Sequence, residues 1–137
     1  MNDSIFVLGE PVGLLCKSRG ATVTFCTLQT RNLRDHFQHA DVIISATGQP
    51  HLIHGDLLPQ TNRPLVIVDA GVSSKPPIVR GDVHMESVRR KCTLLTPPTG
   101  GVGRMTIAAL AYNLFHAYNL CNVYRQPEIY RSNIGRY

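Results

Sequence analysis

The 137 residues are 43% hydrophobic and 17% charged, the balance of one globular domain that is small for a complete two-domain enzyme. No apolar stretch reaches membrane-spanning length, and Met1-Asn2-Asp3-Ser4 lacks the basic start and long apolar segment of a secretory leader. The formal net charge of +5 is dispersed and densest at Arg89-Arg90-Lys91, read as the last turn of a helix, so neither a membrane nor a nucleic acid is expected as partner.

In chain order, Ser4-Ile5-Phe6-Val7-Leu8 reads as a first strand, with Gly9 turning into a helix through Lys17 and Pro11 near its first position, where a missing N–H costs little. Ala21 to Cys26 reads as a strand, and Arg31 to Gln38 as a short helix with Leu33 and Phe37 on one face. Asp41 to Ala46 and Pro64 to Asp69 are continuous apolar strands whose composition argues burial on both faces. A helix is expected over Asp82 to Lys91, a short strand over Thr93 to Leu95 and a final helix over Gly103 to Tyr118. Strands alternating with helices give an α/β, Rossmann-like, doubly wound and mostly parallel sheet with helices on both faces. Residues 1–119 make the domain and 120–137 an extension that packs poorly on its own.

Ligands of such sheets lie outside the carboxyl ends of the strands. Those ends are Thr27 to Thr30, Ala46 to Pro50 and Asp69 to Ser73, and Gly48 and Gly71 follow two of them closely. Glycine there serves either a ligand or simply the end of a strand. A dinucleotide fingerprint of the G-x-G-x-x-G kind is absent, because Gly9 and Gly13 are wrongly spaced. Cys16, Cys26, Cys92 and Cys121 show no C-x-x-C spacing, which argues against a metal site or a disulfide framework and for reduced thiols.

The most informative run is Thr96 to Thr106, Thr-Pro-Pro-Thr-Gly-Gly-Val-Gly-Arg-Met-Thr, set before a helix-length apolar segment. Gly101 or Gly103 is the position expected to take a positive φ and form a ligand-facing wall, against the plainer reading of a turn before a helix.

These segments resemble the bifunctional methylenetetrahydrofolate dehydrogenase/methenyltetrahydrofolate cyclohydrolase family. The resemblance is to its C-terminal NAD(P)-binding domain and runs from about Leu8 to Asn119. It rests on Gly20 to Thr24, Ala40 to Pro50, Val68 to Val72, Gly81-Asp82-Val83 and Thr96 to Thr106. It implies hydride transfer from 5,10-methylenetetrahydrofolate to NAD(P)+, then hydrolysis of the methenyl product. Gly100, Gly101, Val102, Gly103, Met105 and Thr106 match the loop that closes over folate and nicotinamide. Gly48 matches a pyrophosphate-side glycine, and Gly71 with Val72 the nicotinamide contact. Thr27 and Leu28 begin the loop beside the adenosine ribose, and Gly9 is what remains of the first phosphate turn.

The departures set further expectations. The family's Gly-Arg-Ser phosphate loop is missing: either the first strand is absent and Ser4 to Gly9 ends that loop, or the strand is present and part of the loop is deleted. A doubly wound sheet needs its first strand, which favours the second. With no Arg at Gly9 and Leu28 at the ribose loop, weak binding of NAD or NADP without preference is expected. The family's catalytic Tyr and Lys lie in an N-terminal domain that 137 residues cannot also hold. Lys17, Lys75 and Lys91 match no such role, so no catalytic residue is assigned. A folate-type ligand would then need an N-terminal domain, either supplied by another chain or belonging to a longer protein of which these residues are a fragment. Self-association, favoured by exposed Tyr118, Tyr124 and Tyr130, or pairing with a full-length homologue is the expected partnership. The compartment implied is the cytoplasm, alternatively the mitochondrion. The competing reading is a binding or regulatory module, or a degenerate fragment, that keeps the fold without turnover.

Overall fold

A computed structural model describes residues 4–60, 63–73 and 79–125. Its elements are β1 (Ser4–Leu8), α1 (Glu10–Ser18), β2 (Thr22–Phe25), α2 (Leu33–Phe37), β3 (Val42–Ser45), a 3-10 turn (Gly55–Leu57), β4 (Val66–Asp69), β5 (Val72–Ser73), β6 (Arg80–Gly81), α3 (Met85–Val88), β7 (Leu94–Leu95) and α4 (Val102–Arg125). Residues 1–102 form one compact unit and the chain from Gly103 a second.

The first unit is built on a sheet of order β2-β1-β3-β4-β7 with every pair parallel. β1 is therefore present and internal, between β2 and β3. Gly9 caps α1 directly, with proline in the first helical turn, so the missing residues are those of the loop and not of the strand.

Both faces carry helices. Phe25 shares its register row with Val7 and Ile44, and its ring occupies the space where a Cβ on Gly13 would stand, which seats α1 on that face. On the other face Ile43 and Ile67 pack in one cluster with Phe37 of α2, Val88 of α3, Ile53, Leu58, Leu65 and Val83. The burial expected on both faces of the apolar strands is unequal between them. In β3 and β4, Ile43, Ser45, Ile67 and Asp69 are buried, while Val42, Ile44, Val66 and Val68 are half-buried.

The helix expected over Asp82 to Lys91 shrinks to Met85–Val88. Its front is consumed by a parallel bridge between Ile53 and Val83 and by burial of Asp82. Arg89 then caps the helix rather than forming its last turn, and Lys91 Nζ donates to the Gly55 carbonyl at 2.7 Å. The antiparallel β5–β6 pair was not expected from the sequence.

In the second unit, α4 runs past Tyr118 without a break and exposes Met105, Ile107, Leu110, Tyr112, Leu114, Phe115 and Tyr118. Tyr112 and His116, one turn apart, stack at 6.3 Å. No helix among the described residues is long and apolar enough to cross a membrane. Residues 120–125 of the expected extension are the end of α4, while Lys75, the side chain of Tyr124, and residues 126–137 with Tyr130 lie outside the described residues.

Candidate functional site

The sheet order reverses between β1 and β3, where one connection leads outward to β2 and the next to β4. Open parallel sheets bind ligands at that switch point. Leu8 and Ser45 are register partners there, so Gly9 and the turn Ala46-Thr47-Gly48 flank the crevice. Gly48 has φ +69°, the left-handed conformation that disfavours a Cβ, and a Cβ there would stand 3.8 Å from the Val72 carbonyl oxygen. Gly48 and the half-exposed Val72 are thereby neighbours on one edge.

Two buried carboxylates hold that edge in place. Asp82, fully buried, accepts from Ser45 Oγ at 2.6 Å, Thr47 N at 2.7 Å and Thr47 Oγ1 at 2.8 Å, all on Oδ2. Asp69, 3% exposed, accepts from the backbone N–H groups of Gly71, Asp82 and Val83 at 3.1–3.2 Å. The Asp69 N–H in turn donates to Thr96 Oγ1 at 2.8 Å. Thus the turn after β3, the β5–β6 pair and the start of the glycine-rich loop are tied to one polar core. Charge-assisted bonds of this kind are stronger than neutral ones, and the cost of leaving such groups unpaired is larger still.

The glycines around this core are packing glycines. A Cβ on Gly71 would run into the Asp82 carboxylate, and one on Gly81 into that of Asp69. Burial is the main force raising the Asp69 pKa above the usual carboxylate value; its three backbone donors oppose the shift and the Asp82 charge adds to it. Asp82 Oδ1 is buried without a hydrogen-bond partner. These roles were missed in the sequence reading, which cited Asp69 and Asp82 only as parts of motifs. The available signal was an Asp at the end of a buried strand followed by glycine, together with Gly-Asp-Val.

The adenosine-side edge is different. Thr27 to Thr30 close a small turn on themselves: the N–H of Thr27 donates to Thr30 Oγ1 at 2.8 Å and that of Gln29 to Thr27 Oγ1 at 3.2 Å. Leu28 stands 58% exposed in it. No side chain caps α1 at Gly9, and the first turn contains Glu10 and Pro11.

In the glycine-rich loop the expected positive φ at Gly101 or Gly103 is corrected: Gly100 takes it, at +77°. Gly101 is glycine because a Cβ would lie 2.7 Å from the Pro97 carbonyl oxygen, and Gly103 faces open space. Val102 ends the first unit, and Gly103, Met105 and Thr106 belong to the start of α4 in the second.

Comparison with known proteins agrees with this architecture. Residues 3–122 match the family model described as tetrahydrofolate dehydrogenase/cyclohydrolase, NAD(P)-binding domain. The bifunctional protein FolD of Aquifex aeolicus is 41% identical over 113 residues, covering 82% of this chain and 38% of that relative. The crystal structure of the bifunctional FolD enzyme from Campylobacter jejuni superposes with a TM-score of 0.73 at 33% identity, over 82% of this chain and 41% of that one. The Trypanosoma brucei enzyme, solved with NADP cofactor and inhibitor, gives 0.68 at 26% identity over the same shares. The chain thus spans about two fifths of the length of these relatives. It belongs to the tetrahydrofolate dehydrogenase/cyclohydrolase family, of which it carries the NAD(P)-binding domain.

Proposed function

We propose that this chain supplies the dinucleotide-binding half of a methylenetetrahydrofolate dehydrogenase/cyclohydrolase site, and that its 1–119 portion does not turn over substrate without a partner domain. The observation that carries the reading is the switch point flanked by Gly9 and Gly48, with Val72 alongside, in a chain of this family. A dinucleotide fits that edge sterically: Gly48 and Gly9 present backbone without side chains, and the uncapped start of α1 offers N–H groups to a phosphate. The fit is electrostatically poor. Pro11 removes one donor, Glu10 adds a negative charge, and Leu28 offers no base to a ribose phosphate. Weak binding without preference between NAD and NADP follows.

When bound, the nicotinamide would accept a hydride from the methylene carbon of the folate. Within the first unit, Val72 and the Gly71 turn would help hold the nicotinamide, and Gly100, Gly101 and Val102 would shape the approach of the folate. No acid or base among the described residues of the crevice is placed for proton transfer, since Asp69 and Asp82 are spent on the scaffold. The folate-side acid–base chemistry is therefore assigned to a domain outside these residues.

A binding module without turnover is the second reading, favoured by the self-closed Thr27–Thr30 turn and by Gly9 running straight into α1. Reconstitution separates the two. The full chain is mixed with the separately expressed N-terminal half of a relative, and NAD(P)+ reduction with 5,10-methylenetetrahydrofolate is followed by nicotinamide absorbance. Turnover only in the mixture supports the half-site. Turnover by this chain alone contradicts it, and silence of a mixture in which the halves demonstrably associate favours the binding module.

A further inference from the structure

The backbone stitches residues 51–54 to 81–84. The N–H of His51 donates to the Gly81 carbonyl at 3.1 Å, that of Ile53 to Asp82 at 2.9 Å and that of His84 to Ile53 at 2.9 Å. This ladder gathers three imidazoles. The rings of His54 and His84 stack 4.6 Å apart with planes 14° from parallel, and His51 meets His84 edge-on at 5.0 Å. His51 itself has φ +58°, an uncommon conformation for a residue with a Cβ, pinned by its bond to Gly81. Beside the rings lies a cavity of about 280 Å³ whose polar walls are His51, Arg80, His84 and Glu86.

His84 is held through Ser87. Ser87 Oγ accepts from the N–H of Gly55 at 3.0 Å and lies 3.0 Å from the His84 carbonyl oxygen. His84 Nδ1 stands 2.9 Å from the same hydroxyl oxygen, which fixes the ring and leaves Nε2 outside this contact. A metal does not suit the cluster. Ring lone pairs lie in the ring planes, so two stacked imidazoles do not aim at a common point. No group of three metal-binding side chains is found among the described residues either.

The charge count of the cavity favours an anion. Arg80 is permanently cationic, and His51 and His84 become so on acidification, against the single carboxylate of Glu86. Of the other charged groups nearby, Asp69 and Asp82 lie behind Gly71 and Gly81; the Asp69 oxygens and Asp82 Oδ2 are turned to backbone and hydroxyl donors, and Asp82 Oδ1 is buried. Lys91 is engaged by the Gly55 carbonyl, and Asp56 is exposed on the 3-10 turn. Desolvation, then the charges of His84, Arg80 and His54, hold the His51 imidazole below the ordinary histidine range. A negative ligand would relieve that repulsion.

We propose that this cavity is a proton-linked oxyanion site, taking one phosphate-, sulfate- or carboxylate-bearing group between Arg80 and the protonated imidazoles of His51 and His84.

The test is an NMR titration of the six histidine side chains of the full chain with sulfate, against chloride at matched ionic strength. Sulfate is expected to raise the titration midpoints of His51 and His84 while leaving His36, His39 and His116 unmoved. Its affinity should be about tenfold weaker near pH 8 than near pH 5.5. Arg80→Gln should weaken sulfate binding about tenfold, with His51→Asn as the second variant because asparagine tolerates a positive φ. Melting curves confirm that both variants fold. Methylphosphonate and glutarate arms identify the ligand source: competition by the first alone marks a phosphate-type group, and by the second alone a carboxylate. Equal movement of all six histidines, or affinity unchanged in folded Arg80→Gln and His51→Asn proteins, overturns the proposal.

Discussion

The two halves of the sheet's ligand edge are built on opposite plans. On the β3–β4 side, Asp82 and Asp69 lie buried and bond to Ser45, Thr47, Gly71 and Val83, so each turn has a fixed partner beneath it. On the β1–β2 side, the Thr27–Thr30 turn bonds, among the described residues, to itself, and Gly9 leads into a helix without a side-chain cap. The difference teaches that a dinucleotide-binding edge has separable parts. The scaffold that shapes the turns stands on one half; on the other, Gly9, Pro11 and Leu28 bring no charge and Glu10 brings a negative one.

Removing the scaffold should have the largest effect. Asp82→Ala leaves the Ser45 hydroxyl and the Thr47 N–H without their acceptor in a site closed to water, and a loss of about 3 kcal/mol or more is expected. Denaturant unfolding measures it, with Thr27→Ala on the other edge costing roughly 0.5 kcal/mol as the contrast. A comparable loss at the two positions would erase the distinction between the halves.

Adding charge to the depleted half comes next. Leu28→Arg places a base in an exposed loop position, and a tenfold or greater gain for NADP over NAD is expected, about 1.5 kcal/mol. Calorimetric titration of both nucleotides reads it directly.

The glycines sharpen the comparison further. Gly48→Ala meets no close neighbour but forces a Cβ into φ +69°, at a cost of roughly 1–2 kcal/mol. Gly103→Ala enters open space on a helix and should stabilise by up to about 1 kcal/mol. Melting temperatures moving in the same direction for both would mean that local conformation does not govern these positions.

The smallest effect is on pH dependence. Because the fold lowers the His51 pKa, the folded state binds fewer protons than the unfolded chain just below the ordinary histidine value. Stability from this group is present above that value and lost as pH falls through it. Asp69 acts oppositely: its raised pKa makes stability decline as pH rises from the ordinary carboxylate value through the shifted one. Unfolding curves across both windows, repeated on His51→Asn and Asp69→Asn, assign each slope.

The main sheet strands, the helices at 10–18 and 33–37 and the last helix as far as Tyr118 were legible because apolar runs and turn residues mark them locally, whereas its continuation to Arg125 was not. The β5–β6 pair was not, since two-residue strands leave no periodicity to read. Neither was the early end of the helix expected over Asp82 to Lys91: Asp82 looks like a helix-capping residue in sequence, and only its long-range bonds to Ser45 and Thr47 reveal another task. The same distance effect hid the histidine cluster, whose members join through a bridge between segments some 30 residues apart. Gly48 and Gly71 were picked alike, yet one is set by its own φ and the other by the Asp82 carboxylate against it. Sequence shows that a glycine is required; the neighbours show why.

The most direct measurement is calorimetric titration of the full chain with NAD and with NADP, at one ionic strength and with identical protein. A charge-assisted phosphate contact is worth about 1.5–3 kcal/mol, or roughly ten- to a hundredfold in affinity. An edge that keeps its scaffold but lacks its clamp should bind both nucleotides weakly, with dissociation constants within about threefold of each other. NADP binding tighter than NAD by tenfold or more would contradict this, and would mean that a base such as Arg31 or Arg34 holds the ribose phosphate after all.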